Sequence, residues 1–86
     1  MGKLFKVDIL TQEKTLFKGE VYSLVVPAEL GYLGVMADHA PIVAKLTPGQ
    51  IALKSGEEMP TLIQSTGKGL LEVEKNKAVI LLDSVA

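Results

Sequence analysis

Apolar and polar residues alternate along most of this chain, and the alternation resets at glycines, prolines and polar clusters. Phe5, Val7 and Ile9 alternate with Lys6 and Asp8, so Leu4 to Leu10 predicts a half-buried strand. Thr11 to Lys14 is a polar turn. Leu16 and Phe17 lead through Gly19 into Glu20 to Val26, where Val21, Tyr22, Leu24, Val25 and Val26 occupy both parities and predict a strand covered on both faces and ended by Pro27. Tyr32 to Met36 predicts a short strand between the loops Ala28–Gly31 and Ala37–Pro41. Ile42, Ala44 and Leu46 alternate with Val43 and Lys45. Thr47-Pro48-Gly49 has the residues of a type II turn. Ile51 and Leu53 continue the alternation to a hairpin tip at Ser55-Gly56-Glu57, and Thr61 to Ser65 returns. Gly67 and Gly69 bracket Lys68 in a tight turn or bulge. Leu71 and Val73 alternate with Glu72 and Glu74, Lys75-Asn76-Lys77 turns the chain, and asparagine there tolerates a left-handed backbone. Ala78 to Leu82 is apolar on both parities and predicts a central strand.

No window of helix length carries an i, i+3, i+4 apolar stripe that does not also alternate. Turn signals recur roughly every 8–12 residues, the spacing of an all-β sandwich or barrel. The stretch Val26 to Gln50 is the exception to plain alternation. It holds three of the four prolines, three of the eight glycines and the only histidine, which predicts a series of short strands and shaped loops at a working edge.

Composition narrows the choice. At 86 residues the chain predicts one domain, and with aromatics at 5 % its core must be aliphatic. Without cysteine there is no disulfide and no thiolate nucleophile or ligand, which fits a reducing compartment. A net charge of −1 argues against a nucleic-acid footprint. No apolar run approaches the ~18 residues of a membrane span, and the first ten residues alternate like a strand and lack a signal-peptide core.

Candidate chemistry is sparse. His39 has no second histidine or cysteine with which to share a metal, and Asp38 beside it points the other way in an extended chain. A loop histidine bonding locally or meeting a partner is the simpler reading. Thr66-Gly67-Lys68-Gly69 fails the spacing of a phosphate loop, which needs an earlier glycine and a following serine or threonine. The carboxylates Glu13, Glu20, Glu29, Glu57, Glu58, Glu72 and Glu74 are scattered over turns and strand faces. Tyr32 and Leu33, apolar residues between two glycines, either fold back over the end of a sandwich or dock onto another protein.

At these residues a family resemblance emerges. The order GYLGVMADHAPIVAKLTPGQI, TGKGLLEV and NKAVILLDS resembles the N-terminal domain of the epsilon subunit of rotary ATP synthases, whose mitochondrial counterpart is called delta. Gly31, Gly34, His39, Ala40, Pro41, Pro48 and Gly49 match the first block of the family pattern, and the likeness runs from about Val7 to Asp83. The resemblance implies an all-β, flattened β-sandwich of about ten short, mostly antiparallel strands over residues 1–86, without the family's C-terminal helical hairpin. It implies a non-catalytic central-stalk subunit that bridges the gamma subunit and the c-subunit ring, peripheral on the cytoplasmic face of the energy-transducing membrane. The gamma-facing role carries over to His39, Ala40, Pro41, Ala44, Thr66 and Glu72, and the ring-facing role to Glu29, Leu30, Gly31 and Tyr32. The gamma-facing surface is expected to be the more apolar, and a bulky charge at Ala44 to weaken gamma binding while sparing the fold.

Three departures from the family matter. Tyr32 stands where many members are acidic. Ala37-Asp38 replaces a Pro-Gly before the histidine, which is expected to loosen that turn. Leu82-Asp83 opens the nucleotide motif of some members, but Ala86 stands at its arginine position, so neither a nucleotide site nor another cofactor is expected, and no helical inhibition. The chain reads as a naturally short member or a truncated one. Two rivals are a lipoyl- or biotinyl-type carrier, with Lys75 or Lys77 modified, and an oligonucleotide-binding barrel. The first lacks the expected Met-Lys-Met or Asp-Lys-Ala context, and the second lacks basic and aromatic residues.

Overall fold

The computed structural model describes residues 2–56 and 58–86, so the predicted hairpin tip at Glu57 lies partly outside the described residues. Nine strands follow one another: β1 (Phe5–Thr11), β2 (Thr15–Val21), β3 (Ser23–Ala28), β4 (Gly31–Met36), β5 (Ile42–Leu46), β6 (Gly49–Lys54), β7 (Thr61–Ser65), β8 (Gly69–Glu74) and β9 (Lys77–Leu82). They form a curled sheet in the order β2-β1-β9-β8-β5-β3-β6-β7, with β4 on β3. The pairs are antiparallel except β1 with β9, which run parallel. The curl makes two layers, β2-β1-β9-β8-β5 and β4-β3-β6-β7, closed on an aliphatic core in which Phe5 is the one aromatic that is fully buried. The fold is the all-β sandwich that the alternation predicts.

Three of the stretches that pass from one layer to the other carry backbone hydrogen bonds through the corner. The predicted strand Glu20–Val26 breaks at Tyr22, whose N–H donates to Lys54 O at 2.7 Å. Val21 therefore faces the core from the first layer and Leu24 and Val26 from the second, which explains apolar residues on both parities without a strand covered twice. Val25, the odd residue, faces outward. Pro27 does not end β3: it stays in register opposite Tyr32, and its carbonyl accepts from Thr47 N–H at 2.9 Å, so only its missing donor is unused. At the second corner β5 runs into β6 through Thr47-Pro48. Gly49 has φ 158°, far from the ~+80° of a type II turn. Its lack of a side chain serves packing instead, since a Cβ there would lie 2.8 Å from Pro27 Cβ. At the third corner the chain leaves β9 and lies along β7: Thr66 N–H donates to Ser84 O, Ala86 N–H donates to Gln64 O, and Ser65 bridges Val85.

Strand β9 is central in the hydrogen-bonding sense, between β1 and β8. Only one of its faces is covered. Ala78, Ile80 and Leu82 are buried, while Leu81 is 48 % exposed beside Leu10 and Leu70 on the neighbouring strands.

The two faces of β9 predict different costs. Ile80→Ala should lower the unfolding free energy by about 2–5 kcal/mol in urea titrations, and Leu81→Ala by less than about 1 kcal/mol. Equal losses would contradict the assigned faces. A second contrast concerns packing at glycine. A Cβ on Gly69 would meet Leu81 O and Leu82 Cδ2 at 2.8 Å, whereas one on Gly34 meets nothing within 4 Å. Gly69→Ala should therefore cost about 1–3 kcal/mol and Gly34→Ala within about 0.5 kcal/mol of zero, by thermal or urea melts.

Candidate functional site

The topology sorts the loops into two opposite ends. Thr11, Leu82, Gly69, Leu46 and Ala28 form one row across neighbouring strands. Beyond it lie the β1–β2 turn, the β3–β4 turn at Glu29-Leu30, Thr47-Pro48 and the loop from Thr66 to Lys68. At the other end lie the Tyr22 corner, the Ala37–Pro41 loop and the two-residue turn Lys75-Asn76. The residues singled out from sequence therefore fall into two sets. Glu29, Leu30, Gly31 and Tyr32 sit at the first end, and His39, Ala40 and Pro41 at the second. Thr66 is at the first end, bonded through its hydroxyl to Ser84 Oγ at 2.8 Å, and so is not brought together with His39. Glu72 stands on the outer face of β8, opposite Val43 of β5, and Pro41 lies beside that pair.

Ala44 is a different case. It is half-buried and packs against the core at the mouth between β4 and β5. A bulky charge there strains the sandwich itself, so the expectation that such a change spares the fold does not hold. Alternation places Ala44 with Ile42 and Leu46 on the inward face, and Val43 is the outward neighbour.

Local backbone shape is set residue by residue. Ala28 and Gly31 pair across a two-residue turn, and Gly31 takes φ 125°, a conformation costly for any other residue. Leu30 at that tip is fully exposed. Tyr32 and Leu33 part company as strand neighbours do: Leu33 packs against the core, and Tyr32 is 67 % exposed. The first end thus presents a leucine and a tyrosine beside Glu29. His39 is half-buried. Its Nδ1 lies 2.7 Å from Ala40 O, so the tautomer protonated there donates a local hydrogen bond, and its N–H donates to Met36 O at 3.3 Å. Asp38 turns away from it. The Asp38 carboxylate accepts from Asn76 Nδ2 at 3.1 Å and from Lys3 Nζ at 3.2 Å, and these bonds hold its carboxyl below the usual aspartate range, Asn76 contributing most.

A depression of about 670 Å³ lies beside Leu10, Lys68, Leu70 and Leu81 and gathers no set of reactive groups. Among the described residues no cluster of three or more histidines, cysteines or carboxylates is placed to hold a metal ion. One surface was not legible as such from sequence. On the outer face of the second layer Gly34, Val25, Ala52 and Leu62 form a row across four strands, flanked by Tyr32 and Met36. Val25 out of phase in its apolar run was the available signal.

Comparison with known proteins supplies the context. Residues 4–86 match the family described as ATP synthase, Delta/Epsilon chain, beta-sandwich domain. The chain is 37 % identical over 86 residues to the ATP synthase epsilon chain of Dichelobacter nodosus, all of this chain against 59 % of that one. It is 38 % identical over 84 residues to the ATP synthase epsilon chain of Chlorobium limicola, 98 % of this chain against 94 % of that one. It spans 59–60 % of the length of the first curated relatives it matches. In solved structures it resembles a chain of the Euglena gracilis mitochondrial ATP synthase, OSCP/F1/c-ring in rotational state 1, with a TM-score of 0.88 at 16 % identity, covering 96 % of this chain and 52 % of that one. A chain of the Tetrahymena thermophila mitochondrial ATP synthase central stalk/c-ring gives a TM-score of 0.79 at 12 % identity, covering 99 % of this chain and 67 % of that one. Those two likenesses are of fold. The match along nearly the whole sequence, joined to the nine-stranded sandwich, makes this chain a member of the ATP synthase delta/epsilon chain β-sandwich family.

Proposed function

We propose that this chain is a non-catalytic rotor component of a rotary ATP synthase, bridging the gamma subunit and the c-subunit ring so that ion translocation is coupled to ATP synthesis. Family membership supports the complex. The observation that supports bridging is the placement of the two loop sets at opposite ends of one hydrogen-bonded body, whose longest dimension is 32 Å. A coupling element must pass torque without deforming, and a core packed to crystal-like density has low compressibility.

In this reading His39, Ala40, Pro41 and Glu72, with Val43 added, meet gamma, and Glu29, Leu30, Gly31 and Tyr32 meet the ring. Thr66 is the member of the gamma set that sits at the ring end, where it would touch gamma only along the flank. The apolar rows on both outer faces fit a body wedged among permanent neighbours, because exposed apolar strips mark interaction sites. Among the described residues no helix is long and apolar enough to cross a membrane. The proposed station is peripheral, on the cytoplasmic face of the energy-transducing membrane.

Co-purification from the native membrane tests the whole reading: the chain should come away with gamma and the c-ring, and recovery with neither would overturn it. Two variants test the two ends. Val43→Arg places a charge on a side chain 64 % exposed, opposite Glu72, where an opposite charge across the strands suits the fold. It should weaken gamma binding about tenfold, ~1.4 kcal/mol, with an unchanged melting temperature. Leu30→Asp, at a fully exposed turn position, should lower c-ring retention by a similar factor and leave gamma affinity alone. A variant that affects the opposite partner from the one named would reverse the assignment of ends.

A further inference from the structure

The Ala37–Pro41 loop is held to the body by few bonds. Its internal bonds, His39 N–H to Met36 O and His39 Nδ1 to Ala40 O, shape the loop without anchoring it. Its hydrogen bonds to other parts of the chain, among the described residues, converge on Asp38. Asp38 N–H donates to Asn76 Oδ1 at 2.6 Å, and Asn76 Nδ2 donates back to Asp38 Oδ1 at 3.1 Å. Lys3 adds an exposed ion pair at 3.2 Å, of the kind worth little alone.

The anchor itself is well fixed. Glu74 and Lys77 pair across the turn, and Lys75 and Asn76 both take left-handed backbones, φ 52° and 60°. Lys6 N–H of β1 donates to Asn76 O at 3.1 Å, so three strands locate this one residue. Asp38 is left-handed too, φ 65°, a shape that aspartate and asparagine adopt more readily than other non-glycine residues. A primary amide suits the contact chemically. It donates and accepts at once, so it satisfies a backbone N–H and a carboxylate together, whereas aspartate cannot donate and glycine offers nothing. Asparagine and glycine both suit the turn at position 76, and only asparagine adds the amide contact.

We infer that the Asn76 side chain is the positioning residue of the Asp38–Pro41 loop, fixing from across the sandwich the shape in which His39, Ala40 and Pro41 meet their partner. This rests on the proposed reading of that loop as gamma-facing. It also accounts for Ala37-Asp38, expected from sequence to loosen the turn: Asp38 is pinned, not free.

The test uses the full chain and the variants Asn76→Gly, Asn76→Asp and Asp38→Asn, each checked for folding by circular dichroism. Asn76→Gly keeps the turn and removes the side chain. In amide NMR the Asp38 N–H should lose its hydrogen-bonded shift and exchange with solvent about tenfold faster, and gamma affinity should fall about tenfold. Asn76→Asp, which also tolerates the turn, should loosen the loop as well, because two carboxylates then face one another. Asp38→Asn keeps an acceptor for Asn76 Nδ2 and should hold both readouts within about threefold of the parent. An unchanged Asp38 amide in Asn76→Gly overturns the clasp. A freed amide with undiminished gamma affinity overturns the positioning role. If Val43→Arg still weakens gamma binding, this inference alone has failed; if it does not, the gamma-facing reading has failed with it.

Discussion

Backbone hydrogen bonding that continues around corners is the constraint on which this structure depends. A chain of 86 residues buries only about 60–65 % of the surface its unfolded form exposes, so its core has little margin. Two separate sheets stacked face to face would hold together through side chains alone. Here the stretches at Tyr22, at Thr47-Pro48 and after Leu82 belong to both layers, and backbone hydrogen bonds run through each corner, from Tyr22 N–H to Lys54 O, from Thr47 N–H to Pro27 O and from Ala86 N–H to Gln64 O. The layers cannot slide without breaking those ladders. Val21 and Leu24, on either side of the Tyr22 corner, are both fully buried, so the bend and the core stabilise each other.

Much of this was legible because period-two patterning is a direct consequence of strand geometry. β1, β5, β7, β8 and β9 lie within a residue or two of where the alternation puts them, and Lys75-Asn76 takes the left-handed turn that asparagine signals. The misses share one cause. Val21 to Val26 shows apolar residues on both parities because a strand changes partner there, and parity cannot distinguish a bend from a doubly covered strand. Pro27 reads as a terminator, yet at a position where its nitrogen need not donate a strand tolerates it. Gly49 looks like a turn glycine and is a packing glycine; which it is depends on Pro27, distant in sequence and adjacent in space.

The same limit governs the candidate surfaces. Alternation says which residues share a face, and so it already separated Ala44 from Val43. What lies opposite each face depends on strand order, which periodicity does not contain. Strand order is also what sets Thr66 beside Ser84 at one end and Asp38 beside Asn76 at the other, 38 residues further along the chain from Asp38. The apolar row Gly34–Val25–Ala52–Leu62 comes from four strands and is invisible in any one of them.

Stiffness and loop shape then follow from one arrangement. A surface hydrogen bond contributes roughly 0.5–1.5 kcal/mol, too little to order a flexible loop whose every residue costs about 1–2 kcal/mol of backbone entropy. Such a bond becomes effective when its anchor is already immobile and the loop is short. Asn76 meets the first condition because β1, β8 and β9 fix its backbone before its side chain is used, and the five residues between β4 and β5 meet the second, since both of their ends are already held in strands. The entropy still to be lost at Asp38 is then that of a residue confined on both sides, and two reciprocal bonds suffice to select one shape. A sandwich of this size can in this way present defined loops at both ends while devoting its buried residues to rigidity, which is the division of labour that the proposed rotor role requires.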